Sequence, residues 1–118
     1  MNLSHLRKKI SAALSRRTKL EKELLNCRLR MIKGSLIKRY IVCQKPGCRC
    51  ARGEKHGPFF YMNIISDGKT IQKYVGKNES LLKKLKEYKN FQDKMREIRK
   101  ITSSLEKLWS QFQEALTE

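Results

Sequence analysis

The sequence predicts a mainly α fold of the α+β class, in which two long antiparallel coiled-coil helices bracket a small antiparallel β head. Apolar residues recur at steps of three and four near both ends of the 118-residue chain, which is helical spacing. All six glycines and both prolines lie between those stretches, among many β-branched and aromatic residues, as strands and turns require. We therefore expect an N-terminal helix in residues 1–33, the head in residues 34–78 and a C-terminal helix in residues 79–118.

The N-terminal helix is predicted to run from residue 3 to about residue 33. Its apolar positions step by three and four, which is the heptad spacing of a coiled coil. Arg17 interrupts the series, and Gly34 is a natural signal for the end of a helix. The seam consists of Leu3, Leu6, Ile10, Ala13, Leu20, Leu24, Cys27 and Met31.

The C-terminal helix is predicted from about Asn78 to Thr117, with Asn78 or Ser80 as its N-cap. Thr102 fills one position of a second apolar seam. Neither helix can bury its stripe alone, so we expect an antiparallel hairpin within the chain, with pairing to a second copy as the alternative. The second seam consists of Phe91, Met95, Ile98, Leu105, Trp109, Phe112 and Leu116.

The head is predicted to contain two or three strands. The stretches SLIKRYIV (35–42), PFFYMNII (58–65) and KTIQKYV (69–75) have strand composition, and the SDG between the last two indicates a hairpin turn. We expect one of Phe59 and Phe60 to lie inside and the other to be more exposed. A sheet this small has too little core to stand alone, so it needs an additional staple.

Three cysteines and a histidine between the first two predicted strands could provide that staple. Their spacing is C-x4-C-x-C-x5-H, and zinc needs four such donors in a tetrahedron. We expect one structural Zn²⁺ per chain, with unmetallated thiols or a disulfide pair as alternatives and His56 as the weakest member of the set. Cys27 is expected in the helical core and His5 in solvent. The predicted ligands are Cys43, Cys48, Cys50 and His56.

The stretch GSLIKRYIVCQKPGCRCARGEKHGPFFY, between two helical segments, resembles a family of small basic bacterial, archaeal and mobile-element proteins classed as a domain of unknown function. The family pattern is a cysteine, then Gly-Lys-Pro-Gly-Cys-x-Cys, then Ala-x-Gly and a His-Gly-Pro-aromatic run. Here Gln44 stands where the family usually has Gly. The resemblance covers residues 34 to 76 well, and it implies a fold unit and a mobile-element setting but no activity. It marks the four predicted ligands together with Pro46, Gly47, Gly57 and Pro58.

The charge of the chain points to an anionic partner. It has 28 Lys and Arg residues against 11 Asp and Glu residues, a formal net charge of +17, which is self-repulsive without neutralisation. The excess is concentrated on the head and the adjacent part of the C-terminal helix, where cations alternate with aromatic rings that can stack on unpaired bases. The residues predicted to contact DNA or RNA are Arg39, Lys45, Arg49, Arg52, Lys55, Lys73, Lys83 and Lys84.

These observations predict a non-catalytic, zinc-containing nucleic-acid-binding protein that acts mainly through phosphate contacts. The alternative is a coiled-coil adaptor or an accessory subunit of a larger nucleic-acid enzyme. Glu54 and Asp67 are the only acidic residues of the head, and no nucleophile motif or phosphate-binding glycine loop is present. No apolar stretch could span a bilayer and no signal core follows Met1, so we expect a cytoplasmic protein without a membrane partner.

Overall fold

Two helices flank a small three-stranded sheet, as the predicted α+β layout requires. The structure is a computed structural model, and it describes residues 2–42, 45–48 and 53–118. Across this described part of the chain, no helix combines the length and the apolar character needed to cross a membrane. The elements in chain order are α1 (Leu3–Leu25), β1 (Gly34–Ile41), β2 (His56–Ser66), β3 (Lys69–Tyr74) and α2 (Glu79–Leu116).

Helix α1 ends earlier than its apolar pattern predicts. It begins after Asn2, whose side-chain oxygen accepts a hydrogen bond from the Ser4 N–H at 2.8 Å, and it ends at Leu25 rather than near residue 33. Met31, the last residue of the predicted seam, is 38% exposed. The chain leaves the helix because Ile32 packs instead against the core beside the sheet, where its N–H donates to the carbonyl of Lys84 at 3.3 Å.

The three strands form an antiparallel sheet in the order β1-β2-β3. The predicted turn between β2 and β3 is confirmed, since Asp67 and Gly68 both have positive φ angles, of 50° and 76°, as a two-residue hairpin loop of type I′ requires. Leu36 pairs with Met62 on one side of β2, and Lys73 pairs with Met62 on the other. These pairings decide which side chains share a face of the sheet.

One face of the sheet packs against the first turns of α2. Met62, Val75 and Leu85 are the buried residues of this cluster. Helix α2 starts where expected, because the Asn78 side-chain oxygen accepts a hydrogen bond from the Leu81 N–H at 3.2 Å. Partly buried neighbours of the cluster are Ile32, Leu36, Phe60, Ile64, Leu81 and Leu82.

Phe60 is the ring that packs inside, against the buried cluster, and Phe59 lies on the other face of the sheet. Strand alternation separates the two rings in this way. Both rings are nevertheless half-buried.

The chain divides into two compact units. The sheet unit is Leu29–Lys89, and the helical unit comprises the chain up to Arg28 together with Asn90–Glu118. Within the helical unit, early residues of α1 contact late residues of α2, as in the Arg7 guanidinium that lies 5.5 Å from the Phe112 ring centroid. Leu6, Ile10, Leu20 and Leu105 are buried there.

Arg17 and Thr102, the two residues that interrupt the predicted seams, contact each other in the helical unit. The Arg17 guanidinium donates to the Thr102 hydroxyl at 3.4 Å. Two ion pairs accompany them between the helices: Arg16 with Glu97 at 2.8 Å and Lys94 with Glu23 at 3.4 Å. Polar groups therefore accompany the apolar contacts between α1 and α2.

Gly34 begins β1 and does not end a helix, so its predicted role was wrong. A Cβ at this position would lie 2.8 Å from the Asn63 carbonyl oxygen and 3.0 Å from Cγ2 of Ile64. The same Cβ would lie 3.3 Å from Cδ2 of Leu85 in α2. Only glycine leaves room for β1 to approach both β2 and α2 this closely.

We expect Gly34→Ala to lower the free energy of unfolding by about 1–3 kcal/mol, because backbone cannot move aside as a flexible side chain would. Urea denaturation monitored by circular dichroism measures the change. Ser35→Ala is the matched control, since Ser35 is the exposed next residue of the strand. Equal midpoints for the two variants would contradict the close-approach explanation.

Candidate functional site

Two of the four predicted metal ligands lie next to each other. The Sγ atom of Cys48 is 2.9 Å from Nε2 of His56. Cys48 follows the turn at Pro46 and Gly47, and His56 is the first residue of β2. The other two predicted ligands, Cys43 and Cys50, lie outside the described residues.

The Cys48–His56 pair has the donor chemistry of a zinc site. Tetrahedral bond lengths of about 2.3 Å to sulfur and 2.0 Å to nitrogen put two such ligand atoms roughly 3.5 Å apart. The observed distance of 2.9 Å is shorter, because the two side chains touch each other directly. The two atoms would have to move slightly apart to hold a zinc ion between them. Among the described residues alone, no cluster of three or more metal-binding side chains occurs.

Gly57 fixes how β2 begins beside β1. Its φ angle is 137°, and a Cβ there would lie 2.7 Å from the Arg39 carbonyl oxygen. The strand register shifts at this point, between Arg39 and Ile41, and Ile41 pairs with His56. The glycine of the His-Gly-Pro run is therefore required sterically for the placement of His56. The sequence motif had included Gly57 but had given no structural reason for it.

The predicted nucleic-acid contacts that can be located are on the surface of the sheet unit, with one exception. Arg39, Lys45, Lys55, Lys73 and Lys83 are exposed. Lys84 is half-buried, because the chain segment at Ile32 hydrogen-bonds to its carbonyl. Arg49 and Arg52 lie outside the described residues.

Aromatic side chains lie beside these cations in a way that sequence reasoning left unassigned. The Arg39 guanidinium is 5.4 Å from the centroid of the Tyr61 ring, and the Tyr61 and Tyr74 rings meet edge to face at 5.3 Å. The signal that could have grouped them is the pairing of β2 with β3, which sets Tyr61 opposite Tyr74. The hairpin turn alone would have sufficed to derive that pairing.

Charge is divided unequally between the two units. The sheet unit contains fifteen basic and four acidic residues, against thirteen and seven in the helical unit. In the helical unit, carboxylates of both helices pair with cations, as Glu97 does with Arg16 and Glu23 with Lys94. The sheet unit therefore holds most of the net positive charge.

The fold and the site define a small α+β protein whose basic sheet unit has a cysteine–histidine pair where its sheet meets a loop. The family model that matches the chain is described as a domain of unknown function, DUF6788, and it covers residues 8–87. The chain belongs to this family. The match extends from α1 through the sheet to the start of α2, beyond the stretch over which the sequence resemblance was clear. No curated protein and no solved structure matched the chain.

We expect Gly57→Ala to destabilise the protein by about 1–3 kcal/mol, because the new methyl group meets the β1 backbone and the φ angle is unfavourable for alanine. The imidazole signals of His56, followed by NMR, should also shift as β2 moves. A variant with unchanged stability and unchanged His56 signals would contradict the steric role of this glycine.

Proposed function

We propose that the protein is a small, non-catalytic, zinc-containing nucleic-acid-binding protein. Its contacts with phosphates come from the sheet unit, including the first turns of α2. The observation that carries this proposal is the excess of fifteen basic over four acidic residues in Leu29–Lys89. A polyanion neutralises such an excess and gains affinity from the release of its counterions.

The exposed cations border the sheet from several elements. Arg39 is on β1, Lys73 on β3 and Lys83 on α2, while Lys45 and Lys55 belong to the segment between β1 and β2. Cations spread over several elements contact the sugar–phosphate backbone without reading a sequence. We therefore propose binding to DNA or RNA without strong base specificity.

Zinc is proposed as the staple of the segment between β1 and β2. The contact between Cys48 and His56 supports it, and Cys43 and Cys50 would complete a tetrahedral set of three thiolates and one imidazole. A closed set of four protein ligands leaves no position for a reacting water molecule. The metal is thus proposed to hold structure rather than to catalyse.

We further propose that α1 and the C-terminal part of α2 pair within the chain as an antiparallel coiled coil. The residue pairs Arg7–Phe112, Arg16–Glu97 and Glu23–Lys94 run in opposite directions along the two helices. The hydrogen bond from Arg17 to Thr102 joins the two seam interruptions. A polar pair inside an apolar seam favours one register over its neighbours.

A second candidate function is an adaptor that docks on another protein through the helical unit. Trp109 is 47% exposed and contacts Phe112 edge to face at 6.0 Å. Both rings border a cleft of about 260 Å³ that also includes Ile10 and Leu14. Exposed aromatic residues of this kind are enriched in protein interfaces. Weak dependence of partner binding on salt would favour this function over phosphate binding.

We expect one zinc per chain in protein purified without added metal, as measured by elemental analysis. Cys48→Ser should reduce the zinc content and the thermal stability, because it removes a thiolate ligand. Cys27→Ser should leave the zinc content unchanged, since Cys27 follows α1 and is not among the proposed ligands. Less than about half an equivalent of zinc in folded parent protein would refute the metal proposal.

We expect the triple variant Lys45/Lys55/Lys73→Gln to bind a short duplex more weakly and with a shallower salt dependence. Loss of three phosphate contacts should reduce the slope of log affinity against log salt by about 2.7. The control Lys8/Lys19/Lys107→Gln has the same change in net charge, and its three exposed lysines lie in the helical unit. Equal slopes for the two variants would show that the sheet unit is not the contact surface.

A further inference from the structure

The face of the sheet that points away from Met62 presents a coherent set of side chains. Directly paired residues of adjacent strands project from the same face, so the strand register defines its membership. The pairs are Arg39 with Phe59, Ile37 with Tyr61 and Ser35 with Asn63 between β1 and β2. Between β2 and β3 they are Tyr61 with Tyr74, Asn63 with Gln72 and Ile65 with Thr70. We call these residues the open face.

Tyr74, at one end of the open face, is held in position and remains accessible. Tyr74 is 62% exposed, yet its ring lies against Gly76, where an added Cβ would meet three of its atoms at 3.0–3.2 Å. Tyr61 contacts the same ring edge to face at 5.3 Å. A ring that is already ordered loses little conformational entropy when a ligand stacks on it.

Arg39 adds a cation to this aromatic end. Its guanidinium is 5.4 Å from the Tyr61 ring centroid, within the range of a cation–π interaction. A planar guanidinium can stack on a base or form two hydrogen bonds to a phosphate. Arg39 is exposed, so either contact is accessible.

The middle and far end of the open face are polar and concave. Gln72 donates to the side-chain oxygen of Asn63 at 3.2 Å, which puts amide groups where they can hydrogen-bond the edges of bases. Beyond them is a cleft of about 450 Å³. It is lined by Ser35, Asn63, Ile65, Thr70 and the neighbouring Lys33, Gly34 and Tyr88.

We propose that the open face binds single-stranded nucleic acid, with unpaired bases stacked on Tyr74, Tyr61 and Phe59 and with Arg39 at the backbone or between bases. The inference rests on the proposed nucleic-acid binding and specifies its ligand class. Six residue steps along β2, from Phe59 to Ile65, span about 20 Å, enough for a short strand. Duplexes keep their base faces stacked inside, so only unpaired bases can use these rings.

Charge complementarity selects this occupant over an apolar peptide. The open face combines rings with Arg39 and two amides, and it belongs to the unit with fifteen basic and four acidic residues. A hydrophobic peptide would leave those cations without partners. A single strand supplies phosphates for the cations and flat apolar surfaces for the rings, which is the general pattern of single-strand recognition.

The test compares strands that differ only in their bases. Fluorescence anisotropy measures binding of the parent protein to labelled oligothymidine and oligouridine of about ten nucleotides, within the usual range of single-strand site sizes. The comparison ligands are an abasic strand of the same length and charge and a duplex. We expect the base-containing strands to bind at least about fivefold more tightly than the abasic strand, because stacking requires bases. The thymidine and uridine arms separate DNA from RNA.

Variants test whether the open face provides the part of the affinity that depends on bases. Tyr74→Ala should weaken binding of the base-containing strands about fivefold or more and leave abasic binding unchanged. Tyr74→Phe keeps a ring and should bind as the parent does. Tyr40→Ala is the control, since Tyr40 is a tyrosine of similar exposure, at 56%, but lies at the register shift between Arg39 and Ile41 and is not one of the paired residues of the open face.

The outcomes separate this inference from the function on which it rests. Equal affinity for abasic and base-containing strands, with salt-dependent binding of both, overturns the stacking proposal and leaves phosphate binding intact. Tighter binding to duplex than to single strands overturns it as well. Failure to bind any nucleic acid at low salt refutes the proposed function and the inference together. The comparison with abasic strand uses parent protein, so it stands even where a variant fails to fold.

Discussion

The contact between Met62 of β2 and Val75 and Leu85 is the one on which the sheet unit depends. These are the buried members of its core, and each comes from a different part of the unit: the central strand, the segment after β3 and the second turn of α2. A three-stranded sheet with one covered face is near the lower limit of independent stability. Consequently, close fits such as that of Gly34 against Asn63 and Leu85 matter, and a staple between β1 and β2 would add stability to the sheet unit.

Features of the fold that depend on residues close together in sequence were predicted correctly. The predictions failed where residues distant in sequence pack against each other. Asn78 caps α2, and Asp67-Gly68 makes the hairpin turn, because the side chains and φ angles involved act within a few residues. The end of α1 could not be predicted in this way. The heptad pattern continues through Cys27 and Met31, but Ile32 packs against the core beside the sheet, a contact that local spacing does not contain. The role of Gly34 was missed for the same reason, since its neighbours Asn63 and Leu85 are remote in sequence.

The candidate site was predictable to the extent that it depends on residue type and spacing. The C-x4-C-x-C-x5-H pattern grouped Cys48 and His56 with Cys43 and Cys50 as ligands of one metal ion, which stays a prediction, and the Cys48 and His56 side chains are in contact. The solvent exposure of each predicted cation was harder to predict from the sequence. Lys83 and Lys84 are adjacent in sequence and chemically equal, but only Lys84 is half-buried, because Ile32 hydrogen-bonds beside it. The grouping of Arg39 with Tyr61 and Tyr74 required the pairing of three strands, which composition does not contain.

Alternation along β2 assigns neighbouring residues to opposite tasks. Phe60, Met62 and Ile64 contribute to the core, whereas Phe59, Tyr61 and Asn63 face away from it. A one-residue change of register would exchange the two sets. The bulge between Arg39 and Ile41 lies at the end of the sheet near His56, so the register of the other paired residues is unaffected.

Under the proposed function, the charges of the sheet unit and the rings of the open face act over different distances. Charge on the sheet unit attracts a strand over about 8 Å at physiological salt, whereas the rings act only at contact. Attraction would therefore be general for nucleic acids, and the open face would select those with unpaired bases.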